Sequence, residues 1–311
     1  MKKLISIVVP LYNEEGNIEL LHKKISDLAK KESSYNFEIV AVEHGSSDQT
    51  FNLLKKIHKK DKRLKILQLS RNFGNADAGI TAGLNHIKGD AAVILMGDLQ
   101  EPPELISRFL RKWEEGYEIV YGVIKKRADS SLFRKISSIA FYKIINKLTN
   151  NLMPENVSDF RLIDKKVYTV INQMEERNKY LRGMVIWTGF QQTGIPFDRS
   201  SRYSGESKAD FITALKVAAN GIFSFSYAPL KVVTILGFCL SIISFSIIIY
   251  QVLLFFFFGR GTPGISTLVV LMGFLFGVVF LILGVMGEYL SRIYDEVKRR
   301  PVYIVKDKIG F

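Results

Sequence analysis

The sequence predicts an α/β domain with a mostly parallel sheet, followed by a membrane hairpin of two helices. Two patterns carry that expectation. Between Leu4 and Val123, short apolar runs alternate with helix-length segments, the arrangement that builds parallel sheets through right-handed crossovers. In the last third, two uncharged runs cover residues 232–258 and 265–287, each long enough to cross a hydrocarbon core of about 30 Å. The 311 residues carry a net charge of +13 and are 48% hydrophobic, with the charge in the first two thirds and the apolar excess in the last. A basic domain beside apolar segments suits an anionic membrane face or a phosphate-bearing substrate. Nucleic acid fits poorly, because no binding motif is present and the aromatic residues cluster away from the basic stretches. The single cysteine, Cys239, lies in an apolar run and supplies neither a disulfide framework nor a thiolate metal site.

Each element has its own justification. Residues 4–9 are apolar and β-branched, as in a strand buried on both faces. The run is too short for a signal-peptide core before Pro10. The turn Pro10-Leu11-Tyr12-Asn13-Glu14-Glu15 leads into a helix to about Lys31. A second strand over 37–42 ends in Glu43-His44-Gly45-Ser46-Ser47-Asp48. There Gly45 allows a tight turn, and Ser46, Ser47 and Asp48 suit a helix start. A helix to about Lys59 and a third strand over 64–69 follow, ending at Ser70-Arg71-Asn72-Phe73-Gly74. A small-residue helix over 76–86 leads to a strand over 91–95, which stops at Gly97, Asp98 and Gln100. Pro102 and Pro103 open a helix to about Trp113, where a missing N–H costs nothing, and 118–123 reads as a fifth strand. In such a sheet the turns after the strands share one edge, where open α/β sheets bind ligands. Glu43, Arg71 and Asp98 are expected to meet there, Asp98 either as a site residue or as a helix cap.

Beyond the fifth strand, Lys125, Lys126, Arg127, Arg134 and Lys135 read as a solvated helix face or as a phosphate clamp. Ser158-Asp159-Phe160-Arg161-Leu162 sets an acid two residues from a base, a spacing that a plain Asp159–Arg161 pair also explains. A polar loop with Arg202, Gly205 and Lys208 precedes an amphipathic stretch. Its apolar residues Phe211, Leu215, Ala218, Ile222 and Phe225 share a face suited to a core or to a membrane surface. The expected organisation is a catalytic domain over 1–203, interfacial helices over 204–230, the hairpin over 231–290 and a basic tail over 291–311. Lys231 before the first span, with Arg292, Lys298, Arg299 and Arg300 after the second, orients domain and tail to the cytoplasm. The expectation is a multi-pass inner-membrane protein. Residues 301–305 are β-like and suited to pair with another strand or another chain. With the hairpin, that favours a homo-oligomer.

Four motifs also carry a resemblance. Ser6-Ile7-Val8-Val9-Pro10-Leu11-Tyr12-Asn13-Glu14-Glu15, Leu69-Ser70-Arg71-Asn72-Phe73-Gly74, Asp98-Leu99-Gln100-Glu101-Pro102-Pro103 and Ser158-Asp159-Phe160-Arg161-Leu162, in this order and with the hairpin, resemble the polyisoprenyl-phosphate glycosyltransferases of glycosyltransferase family 2. That group includes dolichyl-phosphate mannose synthases and bacterial undecaprenyl-phosphate glucosyltransferases. The resemblance implies a GT-A nucleotide-sugar fold. It implies inverting transfer of a hexose from a nucleoside diphosphate, UDP-glucose or a similar donor, to undecaprenyl (polyprenyl) phosphate for cell-envelope glycan modification. Carried over by position, Pro10, Tyr12, Glu14, Glu43, Arg71 and Asp98 would bind the nucleotide sugar. Asp98 and Gln100 would hold a divalent metal, Mg²⁺ or Mn²⁺. Asp98 and Asp159 would be catalytic, Asp159 as a base or an acceptor-orienting acid. Arg127, Arg134, Arg202 and Lys208 would bind the lipid phosphate or the leaving diphosphate. A phosphate acceptor is already an anion, so positioning and charge neutralisation should supply most of the catalysis.

Two positions depart from the family pattern. Where the family reads Asp-Asp-Gly-Ser, this chain has Glu43-His44-Gly45-Ser46; where it reads Asp-x-Asp, this chain has Met96-Gly97-Asp98. A thioether does not ligate a hard cation. One expectation is a metal held by Asp98, Gln100 and the donor diphosphate, with His44 helping if the metal is Mn²⁺. The other is a degenerate site that binds lipid or a partner without turnover. The retained Asp98, Gln100, Asp159, Arg161 and Lys208 favour activity. A transporter is the rival class, but two spans make a poor pathway, and a soluble nucleotidyltransferase has no use for a hairpin.

Overall fold

The strand runs form the sheet that their alternation with helices implies, in a computed structural model that describes residues 2–127, 156–200, 203, 228–258 and 264–311. The parallel strands β1 (Leu4–Leu11), β2 (Asn36–Glu43), β3 (Leu64–Leu69) and β4 (Ala91–Ile94) are connected by α1 (Ile18–Lys31), α2 (Thr50–Lys60) and α3 (Ala76–Leu84). A 3₁₀ turn (Pro103–Leu105) then precedes α4 (Ile106–Glu114) and β5 (Ile119–Arg127). Next come β6 (Val157–Asp164), α5 (Lys165–Gln173), α6 (Leu181–Trp187) and β7 (Gln192–Arg199). With β8 (Val305–Ile309) the strand order is β7-β5-β6-β4-β1-β2-β3-β8. The sheet is mixed and mostly parallel: β6 runs antiparallel to β4 and β5, and β8 antiparallel to β3.

Side-chain alternation along the strands sorts two helical layers. Ile5, Ile7, Val9 and Leu11 of β1 share a core with Ile18, Leu21, Ile25 and Leu28 of α1 and with Phe109, Leu110 and Trp113 of α4. On the other face α3 lies against the sheet. A Cβ on Gly83 would sit 2.3 Å from Val8 Cγ1. The small residues of this helix are therefore a packing requirement, because a bulkier helix would stand off the sheet.

The motif around Asp159 proves to be a strand, which the sequence pattern did not suggest. Phe160 and Leu162 point into the core, where the Phe160 ring meets Phe109 at 4.7 Å between centroids. The alternate positions, Asp159 and Arg161, carry charge on the opposite face. A polar alternation in mid-sheet hides the usual signal of a buried strand.

The tail also forms a strand, starting later than expected, at Val305 rather than Pro301. It pairs with β3, Ile66 opposite Ile309. Tyr303 and Phe311 set their rings edge-on to His86 at 6.3 and 5.9 Å. The last strand thus covers an edge that would otherwise expose unpaired backbone groups.

The chain forms two compact units, Met1–Gly221 with Arg300–Phe311, and Ile222–Arg299. The second holds α7 (Ala228–Phe258) and α8 (Ile265–Lys298). Both helices are long and apolar enough to cross a membrane. Phe238, Phe245 and Phe280 are each about two-thirds exposed (68%, 66% and 69%), an apolar surface that water does not favour. The hydroxyls of Thr234, Ser241 and Ser246 donate to carbonyls four residues back, so these polar groups are satisfied within the helix. α8 ends with Arg299 in the left-handed region, at φ +50°, just before Pro301.

Candidate functional site

The Asp98 turn is set by close packing where β4 ends. A Cβ at Gly97 would lie 2.4 Å from Leu11 Cδ2, so any larger residue would have to displace the Leu11 side chain on β1. Asp98 is buried and its Oδ1 accepts the Gln100 N–H at 3.2 Å. This is a local Asx turn, and not the cap of the helix that starts beyond Pro102. Leu99 adopts φ +57° within it. The end of β7 is clipped onto this turn by Ser200 N–H to Gln100 O (3.2 Å) and Gln100 Nε2 to Ser200 O (3.3 Å). The clip brings Arg199 Nη2 to 4.0 Å from Asp98 Oδ2.

Asp159 reaches the same region from β6. Its carboxylate is gripped bidentately by Arg182 of α6, through Nε at 3.0 Å and Nη2 at 2.6 Å. Arg161 Nη2 stands 3.7 Å away, so the sequence-adjacent pair exists but is the weaker one. Arg161 is buried and donates to the carbonyls of Ser158 (3.0 Å) and Asp159 (3.2 Å). Burial would raise the Asp159 carboxyl, but Arg182, then Arg161 and Arg199, bring it down to about 2. The Asp98 turn joins this group through Glu101, whose carboxylate accepts the Ser158 hydroxyl. Burial pushes Glu101 up to about 7 against Ser158 and Arg199, with Asp159 and Asp98 adding to the rise. Asp77, in the first turn of α3, is also pushed up to about 7, by burial and then by the Asp159 charge.

The ends of β1 and β2 interlock beside this cluster. Asn13, at φ +53°, donates its N–H to Ser46 Oγ (3.0 Å) and accepts the Ser47 N–H (2.9 Å). The Glu14 N–H meets Thr50 Oγ1 at 2.9 Å, and Glu15 Oε2 accepts the Gln49 N–H at 2.8 Å. Pro10 is paired with Val42 in the sheet, and Tyr12 is half-buried. Glu43 is fully buried and accepts the Ser46 N–H. Gly45, at φ +69°, lets the β2 turn touch the end of β3: a Cβ there would lie 3.0 Å from Arg71 Cα. Arg71 itself is exposed and stacks on Phe73 at 4.3 Å. This face offers backbone and half-exposed polar groups of the kind that recognise a nucleoside.

His44 is taken up by packing. It is buried, and a Cβ on Gly79 would lie 1.7 Å from its Nε2. Gly79→Ala is therefore expected to cost about 3 kcal/mol by overpacking. Thermal unfolding in detergent would show the loss, and His44→Ala in the same chain should recover most of it; an unchanged melting point for the single variant would refute the contact. Burial also lowers the His44 imidazole to about 4. An unfolded histidine titrates near 6.5, so between those values the unfolded chain binds a proton that the folded chain does not. This contribution is complete above about pH 6.5 and falls by about 3 kcal/mol as pH drops toward 4. His44→Gln should flatten the dependence of the melting point on pH between 7 and 5.

Of the anticipated phosphate-binding residues, Arg134, Arg202 and Lys208 lie outside the described residues. Arg127 ends β5, where its backbone is paired with Arg199. Among the described residues no group of three or more His, Cys, Asp or Glu side chains could hold a metal ion. Asp98 and the Gln100 side-chain carbonyl are hard oxygen donors on one turn. They suit a Mg²⁺ or Mn²⁺ ion that takes its other ligands from water and a diphosphate. Arg182, Arg199, Glu101 and Asp77 are the site residues that motif reading missed. Glu101 was within a quoted motif, whereas Arg182 and Arg199 carry no local signal.

Comparison with known proteins supplies a family. The sequence model described as glycosyl transferase family 2 matches residues 6–171. An uncharacterized glycosyltransferase of Synechocystis sp. is 40% identical over 306 residues, 98% of this chain and 96% of its own. The bactoprenol glucosyl transferase of Shigella phage SfII is 36% identical over 302 residues, 97% of each chain. Among solved structures, glucosyl-3-phosphoglycerate synthase from Mycobacterium tuberculosis aligns at 15% identity with a TM-score of 0.49, over 71% of this chain and 78% of that one.

Proposed function

The chain belongs to glycosyl transferase family 2 and is a glycosyltransferase with a GT-A catalytic unit, and we propose that it moves glucose from UDP-glucose to undecaprenyl phosphate at the cytoplasmic face of a membrane. The observation that carries this reading is the junction of the Asp98 turn with the Asp159–Arg182 pair, linked through Glu101–Ser158 and Arg199. One carboxylate turn suited to a diphosphate beside fixed guanidinium groups is machinery for two phosphates. The acceptor and sugar are supported by relatives named bactoprenol glucosyl transferases, at 34–36% identity over 97–98% of this chain. Membrane crossing is supported by the two apolar helices and by connectivity. The chain leaves the sheet unit, runs through α7 and α8, and returns to supply β8. An even number of crossings keeps both ends on one side, and the basic residues flanking the helices favour the cytoplasm.

In this reading the acceptor phosphate oxygen attacks the anomeric carbon opposite the departing diphosphate, with inversion. The interlocked β1 and β2 turns, with Pro10, Tyr12, Glu14 and Arg71, hold the nucleoside. A divalent cation at Asp98 and Gln100 neutralises charge on the leaving diphosphate when bound. Asp159, held near 2 and committed to Arg182, is a poor proton acceptor; it orients Arg182 toward the acceptor phosphate. No base is required, because that phosphate is already ionised. Arg127, Arg134, Arg202 and Lys208 are assigned to the lipid phosphate by their motif positions in the sequence.

The test is transfer from radiolabelled nucleotide sugars to undecaprenyl phosphate by the full chain in detergent, with Mg²⁺, Mn²⁺ or EDTA. A lipid-linked, mild-acid-labile product from UDP-glucose is expected. Product from another donor alone would correct the sugar. No product from any donor, with lipid phosphate still bound, would favour a degenerate site, and Met96, His44 and Glu43 would be the positions to revert.

A further inference from the structure

Arg199 stands apart from the other cations of the site in having nothing firm to hold. Arg161 is satisfied by backbone carbonyls and Arg182 by Asp159. The Arg199 side chain makes no hydrogen bond among the described residues. Its one close partner is Asp98 Oδ2 at 4.0 Å, at the limit of an ion pair, and its Nε is buried without a hydrogen-bond acceptor. A guanidinium offers five donors in a planar fork, and leaving a buried one unpaired is costly. Its position is nevertheless fixed. The residue after it, Ser200, is doubly hydrogen-bonded to Gln100. The clip holds the end of β7 over the Asp98 turn and faces the fork toward the carboxylate assigned to the metal and diphosphate.

The surroundings favour an anion. Arg161, Arg182 and Arg199 converge on the carboxylates of Asp98 and Asp159, three guanidinium groups in one small region. The turn itself lacks a second acid, since Met96 stands where the family carries one. A site with one fewer carboxylate attracts a cation less strongly and needs another source of positive charge for the leaving group.

We propose that Arg199 binds the diphosphate of the donor directly and shares its charge with the metal, so that this chain holds a nucleoside diphosphate even without a divalent cation. The inference rests on the nucleotide-sugar reading above and deepens it. Without ligand, Arg199 partly neutralises Asp98. With the diphosphate present, the fork turns to the phosphate oxygens, and Asp98 is released for the cation.

The test is calorimetric titration of the full chain in detergent with UDP, GDP and inorganic diphosphate, in EDTA and in Mn²⁺. Wild type is expected to bind UDP in EDTA. Arg199→Gln should weaken that binding at least about tenfold, the scale of one lost charge-assisted hydrogen bond, and weaken it less in Mn²⁺. Arg199→Lys should fall between, because it restores charge without the fork. Asp98→Asn should keep UDP binding in EDTA while losing the Mn²⁺ enhancement. Equal UDP affinity of wild type and Arg199→Gln in EDTA overturns the proposal, as does wild-type binding that requires Mn²⁺. Neither result touches the broader reading, which fails separately if wild type binds neither UDP nor GDP in Mn²⁺. Melting curves of both Arg199 variants control for folding. Loss of fold in the glutamine variant would pass the decision to the lysine variant, for which affinity equal to wild type in EDTA counts against the fork.

Discussion

Asparagine at position 98 is expected to lower glycosyl transfer about a thousandfold, the scale seen when a preorganised electrostatic group is removed from a reacting centre. The substitution keeps the shape of the turn. An asparagine Oδ1 still accepts the Gln100 N–H that Asp98 accepts at 3.2 Å, so the melting point should hold while activity goes. The large effect follows from isolation: Met96 leaves Asp98 as the one acid of the Met96-Gly97-Asp98 segment. The reverse change has a matching expectation. Met96→Asp, which restores a second hard ligand, should lower the Mn²⁺ concentration for half-maximal activity about tenfold or more. Steady-state rates over a metal titration read both. Asp98→Asn with more than a tenth of wild-type activity would falsify the role given to that carboxylate.

Removing Arg182 should be nearly as damaging, with a pH signature of its own. Arg182 supplies two hydrogen bonds to Asp159, at 3.0 and 2.6 Å. In the wild type Asp159 is held at about 2, so it stays ionised throughout the working range and adds no acid limb to the rate profile. In Arg182→Gln the desolvation that Arg182 outweighed acts with less opposition, and the carboxyl rises. A depressed carboxylate stabilises the fold above its unfolded value of about 3.9 and loses that contribution as pH falls through the folded value. The variant surrenders part of that stability at neutral pH. Breaking a fully buried pair costs about 3–5 kcal/mol. Asp159 is 36% exposed at its side chain, so about 1–2 kcal/mol is the appropriate scale here. Activity should fall about a hundredfold or more, with a new loss of rate below pH 5 to 6 in kcat. Arg182→Lys should restore the flat profile and only part of the rate, since one ammonium cannot reproduce a two-point grip. A wild-type rate in Arg182→Gln would mean that Asp159 needs no partner to do its work.

Much of the sheet half was legible from residue order, and the exceptions have a common cause. Strands β1 to β4 and their helices appear where apolar runs and polar turns place them, because each βαβ crossover is encoded over a few dozen consecutive residues. β6 was not legible. Its outward positions are occupied by Asp159 and Arg161, and its neighbours β4 and β5 are set by pairing across the sheet rather than by local pattern. The tail was legible as strand-forming but not in its register, since its partner β3 lies more than two hundred residues earlier. His44 looked like a metal ligand by residue type. Its contact with Gly79 on α3 gives the imidazole a packing role that no spacing reveals.

By itself, then, the sequence determined the α/β class, the two apolar helices, the family and the position of Asp98 at a strand end. These follow from periodicity, length and local turn chemistry, all of which act between near neighbours. Only the tertiary structure decided that Asp159 answers to Arg182 rather than chiefly to Arg161, that Arg199 comes to Asp98, and that Glu101 ties the two carboxylate strands together. Those choices depend on which strand end is clipped to which turn. Charged side chains have many partners within reach in an unfolded chain, and the packed sheet selects one set by fixing the distances.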